Sequence, residues 1–233
     1  MTRPEIGAGA PERWLSAEQR GRLEAMLALL ERDEHAPSSV RDRRGALDVH
    51  VADSLVALEL EALRTAERVV DLGSGAGFPG AAIALARPAA TVCLVESQRR
   101  KCDFLLGMRE AGALANVQVV CARVEEWREG LGRADAALAR ALAPQPVVLE
   151  YAAPLLRVGG LLVDWRGRRD PADEAAAAVA ARELGLRPLE VRHVIPFAAA
   201  EARHLHVFEK VEPTPARFPR RAGMARKRPL GSG

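Results

Sequence analysis

Three glycines spaced two apart, Gly73, Gly75 and Gly77, follow the short run Arg68-Val69-Val70-Asp71-Leu72. A β-branched apolar run that breaks into glycines describes a strand ending at a ligand. Glycine accepts positive φ and lets the backbone lie against a bound molecule with no Cβ in the way. Pro79 suits the first turn of the helix that follows, where its missing N–H leaves no intrahelical bond unmade. Thr91 to Val95 is a second strand, and Glu96 at its end can accept both hydroxyls of a ribose. These residues form a βαβ unit for a nucleoside-like ligand.

Spacing decides which nucleoside. The dinucleotide fingerprint G-x-G-x-x-G fails, because Phe78 stands where its third glycine belongs. The pattern G-x-G-x-G, with Asp71 before it and an acidic end to strand two, resembles the S-adenosylmethionine loop of class I methyltransferases. That cofactor has a ribose and an adenine but no pyrophosphate to seat on a helix N-terminus.

Around this unit, Ser16 and Gln19 form a capping box for a helix with the apolar stripe Leu23, Met26, Leu27 and Leu30. Residues 1 to about 13 are expected to be disordered. A second helix is expected from Ala46 to Leu63, with His50, Asp53 and Ser54 close enough in spacing to converge; on pattern alone they are a solvated polar face. Ser97 can cap a helix running to Gly112, whose first turn carries Arg99, Arg100 and Lys101, cations that a helix N-terminus disfavours unless an anion is near. Further strands are expected at Val117–Cys121, Ala134–Leu138, Leu161–Trp165 after a Gly159-Gly160 turn, Leu189–Ile195 and Leu205–Lys210. Asp170-Pro171 caps the helix that precedes the last two. Alternation of strands and helices specifies an α/β fold, a doubly wound and mostly parallel sheet. Ligands then bind at the carboxyl strand ends, which present Gly73, Glu96, Arg123, Arg140 and Arg166.

The 233 residues suit one Rossmann-like domain, expected at 65–212, with an N-terminal helical extension at 1–64 and a basic tail at 213–233. The tail holds six cations and no acid, leaving 28 basic against 31 acidic residues elsewhere. Cys93, Cys102 and Cys121 lack ligand spacing, so reduced thiols and no metal site are expected in a cytoplasmic protein. No run approaches the ~18 apolar residues of a membrane span.

DLGSGAGFPG, LVES with the basic RRK, ARVEE, ARALA, HVADS, the RHL at Arg203 and FPRRAG with RPL together resemble the bacterial small-subunit ribosomal RNA guanine-N7 methyltransferases, the RsmG or GidB family. The resemblance implies that Gly73 and Phe78 line the methionine side of the cofactor, that Glu96 holds the ribose and that Val124 and Glu125 meet the adenine. It also implies that Arg140 belongs to the reaction pocket, bordered by His50, Asp53 and Ser54. Asp71, Gly75 and Gly77 complete the expected cofactor set, and Arg123 and Arg166 join Arg140 and His50 in positioning roles. The sequence departs from the family where ERDEHAPSSV replaces the usual W-N-x-x-x-N-L-T, and where Arg166-Gly167 stands for Lys-Gly.

Guanine N7 has a free lone pair, so attack on a sulfonium methyl requires no general base. Positioning then carries catalysis, with Arg140 expected on a phosphate, guanine O6 or the methionyl carboxylate so that N7 stays bare. Arg99, Arg100, Lys101, Arg220, Arg221, Lys227 and Arg228 are expected to bind RNA phosphates. Removal of residues 213–233 is expected to weaken RNA binding more than cofactor binding. The implied partner is 16S rRNA or the small ribosomal subunit, met by a monomer. Methylation of another RNA, or RNA binding without turnover, are the alternatives.

Overall fold

Side chains alternate across a strand, so Val69 and Val70 in the central strand face opposite layers, and both layers are apolar. The computed structural model describes residue 7 and residues 9–200 and 202–231. Its strands are β1 (Arg68–Leu72), β2 (Thr91–Glu96), β3 (Val117–Cys121), β4 (Ala134–Arg140), β5 (Leu156–Arg166), β6 (Leu186–Val194) and β7 (Arg203–Lys210). They form one sheet in the order β3-β2-β1-β4-β5-β7-β6. Pairing is parallel from β3 to β5, and β7 runs antiparallel to both β5 and β6. Chain order reverses between β1 and β4, which opens a crevice at their carboxyl ends.

The helices are α1 (Pro11–Trp14), α2 (Ala17–Arg32), α3 (Arg43–Ala46), α4 (Asp53–Leu55), α5 (Glu61–Thr65), α6 (Gly80–Ala86), α7 (Arg99–Ala111), α8 (Gln145–Ala152), α9 (Pro171–Glu183) and α10 (Met224–Lys227). Val69, Leu94, Leu138 and Val163 face the layer that holds α2, α6 and α7. Val70, Leu72, Ala137 and Leu162 face α8 and α9, where Phe218 and Ala225 of the C-terminal segment join the same core. The basic C-terminal segment is therefore packed against the body.

Several local expectations change. Of the start expected to be disordered, residues 1–6 and 8 lie outside the described residues, but Pro11–Trp14 is helical. The Ala46–Leu63 helix is broken: a π-helical turn spans Leu47–Ala52, and a 3₁₀ turn spans Val56–Glu59. An inserted π turn shifts the side-chain register, so His50, Asp53 and Ser54 point inward rather than to solvent. Ser97 does not cap α7; Gln98 occupies that position without a side-chain bond, because the Glu96 carboxylate accepts the Ser97 and Gln98 amides instead. Gly159 and Gly160 lie inside β5 at a register shift against β4, where a Cβ on Gly160 would come within 2.9 Å of the Ala134 carbonyl.

The cysteines are not all reduced. Cys102 and Cys121 form a disulfide, their Cα atoms 5.8 Å apart. Register explains the pairing: Glu96 lies opposite Cys121, and the chain turns from Glu96 directly into α7, which carries Cys102. Cys93 remains a free thiol, lining a separate cavity of about 420 Å³ with Arg68, Gln118 and Trp127.

Candidate functional site

The loop after β1 is shaped by three glycines at positive φ, Gly73 at +65°, Gly75 at +54° and Gly77 at +95°. The Gly73 and Ser74 amides donate to the Val95 carbonyl at 2.8 and 3.1 Å, which ties the loop to the end of β2. Glu96 completes the lacing. It is buried, and its carboxylate accepts the amides of Gly75 at 3.2 Å, Ser97 at 2.7 Å and Gln98 at 2.9 Å. The Ser97 hydroxyl also donates to Oε1 at 3.5 Å, whereas Oε2 accepts only the Gly75 amide, so Oε2 keeps a lone pair for a ligand hydroxyl.

Two cavities flank this loop at the carboxyl edge. One, of about 240 Å³, is lined by Glu96, Arg123, Val124, Glu125, Leu142, Tyr151 and Arg226. The other, of about 570 Å³, is lined by Ser38, His50, Asp53, Gly75, Phe78, Arg140, Trp165, Arg166 and Arg203. Gly73, Lys101 and Ala141 line both, so they form one cleft with a waist. Val124 lines the smaller cavity and Phe78 the larger.

The larger cavity is built around Arg140. Its Nη1 donates to the Val49 carbonyl and to Asp53 Oδ2, both at 3.0 Å, and its Nη2 faces His50 Nδ1 at 3.4 Å. His50 Nε2 lies 2.7 Å from Ser38 Oγ and 3.0 Å from the Val40 carbonyl. Ser38 already donates to that carbonyl, so Nε2 carries the proton and Nδ1 offers its lone pair to Arg140. Burial, and then the Arg140 charge, push the His50 pKa down to about 4. The imidazole is neutral at pH 7 and stacks on Phe78, ring centroids 5.1 Å apart. Behind it, Trp165 Nε1 donates to the Asp53 carbonyl at 2.7 Å, and Arg203 Nε lies 3.4 Å from Asp53 Oδ1 without a directed hydrogen bond.

Most of the expected residues meet here, and several do not. Gly73, Gly75, Phe78, Glu96, Val124, Glu125, Arg140 and His50 line the cleft, and Arg123 stands on its rim. Asp71 is buried beneath the loop, facing α6, where its carboxylate accepts the Gly80 amide at 3.0 Å; strand alternation turns it away from the ligand. Gly77 is packed toward Leu105 of α7 and lines neither cavity. Arg166 touches the cleft, but its guanidinium is held by Asp164 at 2.7 Å and the Ala143 carbonyl at 2.9 Å. Lys101, expected on RNA, lies at the cleft's waist, while Arg99 and Arg100 are exposed. In the tail, Arg221, Lys227 and Arg228 are exposed, whereas Arg220 makes a two-pronged pair with the buried Glu150 of α8. A cation committed to a buried carboxylate is a structural anchor, not a phosphate contact.

Ser38, Tyr151, Trp165 and Arg226 were not singled out as site residues by sequence, nor was Arg203 beyond its motif. Ser38 lies in the divergent ERDEHAPSSV loop. The other signals were an indole ending a strand and one more cation in a basic tail.

Comparison with known proteins agrees with this geometry. The family described as "rRNA small subunit methyltransferase G" (GidB) matches residues 25–205. A ribosomal RNA small subunit methyltransferase G of Rubrobacter xylanophilus is 44% identical over 201 residues, covering 83% of this chain and 76% of that protein. One of Chloroflexus aggregans is 37% identical, covering 83% and 82%. Among solved structures, a SAM-dependent methyltransferase from Aquifex aeolicus aligns with a TM-score of 0.57 at 16% identity, covering 73% of this chain and 95% of that one. A 16S rRNA (adenine(1408)-N(1))-methyltransferase variant from Catenulisporales acidiphilia aligns at 0.53 and 20%, covering 66% and 89%. At such identities these two structures speak for the fold, a class I methyltransferase sheet. With the family matched across most of its length, the chain belongs to the rRNA small subunit methyltransferase G family and is an S-adenosylmethionine-dependent methyltransferase.

Proposed function

We propose that the protein transfers the methyl group of S-adenosylmethionine to N7 of a guanine in the 16S rRNA of the small subunit, acting as a cytoplasmic monomer. Among the described residues no helix is long and apolar enough to cross a membrane.

The cleft fits the cofactor. Gly73 leaves room that a side chain would fill, since a Cβ there would lie 2.5 Å from Leu142 Cδ1. Glu96 retains an acceptor for a ribose hydroxyl, and Val124 with Glu125 forms the far wall for the adenine. Gly73, Gly75 and Phe78 line the passage into the larger cavity, where the methionyl portion and the target base belong. When bound, the cofactor supplies an electrophilic methyl on a positively charged sulfur.

The observation that carries the N7 reading is the engagement of His50. Its Nε2 proton is directed at Ser38 and Val40, and its Nδ1 faces Arg140. An imidazole so occupied is poorly placed to take a proton from a substrate, which suits a nucleophile that has none to lose. Arg140 is anchored through Nη1, so its remaining N–H groups serve for orientation, on guanine O6 or the methionyl carboxylate. Phe78, with His50 stacked behind it, offers an apolar wall to a planar base.

The test is incubation with labelled S-adenosylmethionine and unmethylated small subunits, followed by nuclease digestion and mass spectrometry. Label on 7-methylguanosine at one 16S position is the expected result. Label on another base or another RNA, or no transfer, would overturn the proposal.

A further inference from the structure

Arg226 belongs to the basic C-terminal segment, yet its Nη2 donates at 2.9 Å to the carbonyl of Leu142, just past the end of β4. That carbonyl follows Ala141, a non-glycine residue at φ +53°. Such backbone costs an L-residue energy and persists where neighbours hold it. Ala141 lines both halves of the cleft and directly follows Arg140. Leu142 in turn stands over Gly73.

The opposite wall is held by the same segment. Gly223, at φ +82°, donates its amide to Glu125 Oε1 at 2.9 Å. Tyr151 completes the cluster: burial and then the Glu125 charge raise its phenol pKa, and Arg226 works against that rise. The segment cannot drift, because Phe218 and Ala225 are buried and Arg220 grips Glu150.

From these contacts we infer that Arg226 is a positioning residue of the cofactor site, acting through Leu142 and Ala141 to hold the wall facing Glu125, so that the C-terminal segment is a working part of the adenosine cavity. This rests on the cofactor reading above. It also reverses the expectation that losing residues 213–233 would chiefly affect RNA: the cofactor is lost as well.

The test measures binding of S-adenosylhomocysteine by calorimetry, without RNA, to the unaltered chain and to Arg226→Ala and Arg226→Lys. Because Arg226 is exposed, the alanine variant keeps its thermal midpoint close to that of the unaltered protein. It binds about tenfold more weakly, the loss expected for one charge-assisted hydrogen bond. Lysine, which retains a cationic donor of similar reach, returns the affinity to within about threefold. In turnover with saturating RNA and varied cofactor, the KM for S-adenosylmethionine rises in Arg226→Ala while kcat changes by less than about twofold, the pattern of lost uniform binding. Unchanged affinity in Arg226→Ala would overturn the inference, as would a lysine variant no better than alanine. A fall in affinity that tracks the thermal midpoint across both variants would also overturn it, reducing Arg226 to a general support. Failure of the unaltered protein to bind would instead refute the cofactor reading, and this inference with it.

Discussion

The Asp53 carboxylate and the Arg140 guanidinium, 87 residues apart in the chain, meet at 3.0 Å with the Asp53 side chain only 4% exposed. Burial raises the Asp53 pKa, and the Arg140 and Arg203 charges oppose that rise. The pair fixes the reaction-side arginine to the N-terminal helices, so those helices shape the pocket. Removing one member of a buried pair leaves the other charge uncompensated, at a cost of about 3–5 kcal/mol. Asp53→Ala should therefore lower the urea midpoint markedly. Assayed below its melting temperature, it should lose at least about tenfold in methyl transfer as Arg140 loses its orientation. Unaltered kcat/KM would show that Arg140 needs no such anchor.

Glu96 faces three amides at once. Glu96→Gln replaces one acceptor oxygen with an N–H₂ group that must confront an amide N–H or a ribose hydroxyl. Cofactor binding should weaken by about 10- to 100-fold, the range for a charge-assisted bond lost with a donor left unsatisfied. Calorimetry with S-adenosylhomocysteine measures this directly, and an unchanged affinity would remove Glu96 from the ribose site.

Stability should carry the signature of Asp71, whose pKa is pushed up to about 6 by burial, against the pull of the Gly80 amide. A carboxyl with a raised folded-state pKa stabilises the fold below its unfolded value near 3.8, and that contribution is lost as pH rises through 6. Asn at this position can keep an acceptor for Gly80 and does not ionise. Asp71→Asn should gain on the unaltered protein by about 2 kcal/mol between pH 4 and pH 8, at 1.36 kcal/mol per unit and with the unfolded carboxyl already partly ionised at pH 4. Urea titrations at the two pH values compare the proteins, and parallel profiles would show that Asp71 titrates normally.

The cations of the C-terminal segment should separate by role. Lys227→Ala should reduce the slope of log affinity for rRNA against log salt by about one, as for one phosphate contact. Arg220→Ala should leave the slope nearly unchanged and lower the thermal midpoint, because it abandons the buried Glu150. Equal salt responses in the two variants would contradict this division.

What the sequence made legible was local. The strand, glycine turn and acidic strand end all fall between Arg68 and Glu96, and the apolar runs and the glycines located them almost to the residue. The pocket around Arg140 was less legible. A π turn offset the helical count at His50, and the partners of Arg140 lie about ninety residues away, beyond any periodic signal. Composition registered the cations of the C-terminal segment but not its docking, which depends on a few apolar residues such as Phe218 and Ala225. Cys102 and Cys121 stand 19 residues apart in no known spacing, and only the β2–β3 register brings them together.

That bond leaves the oxidised chain with a single free thiol, since Cys93 is the only one of the three cysteines outside it. Cys93 is half-buried and lines a different cavity from the cleft. Because burial raises the Cys93 pKa, a maleimide dye added without reductant would mark this one site per molecule slowly at neutral pH and faster as the pH is raised.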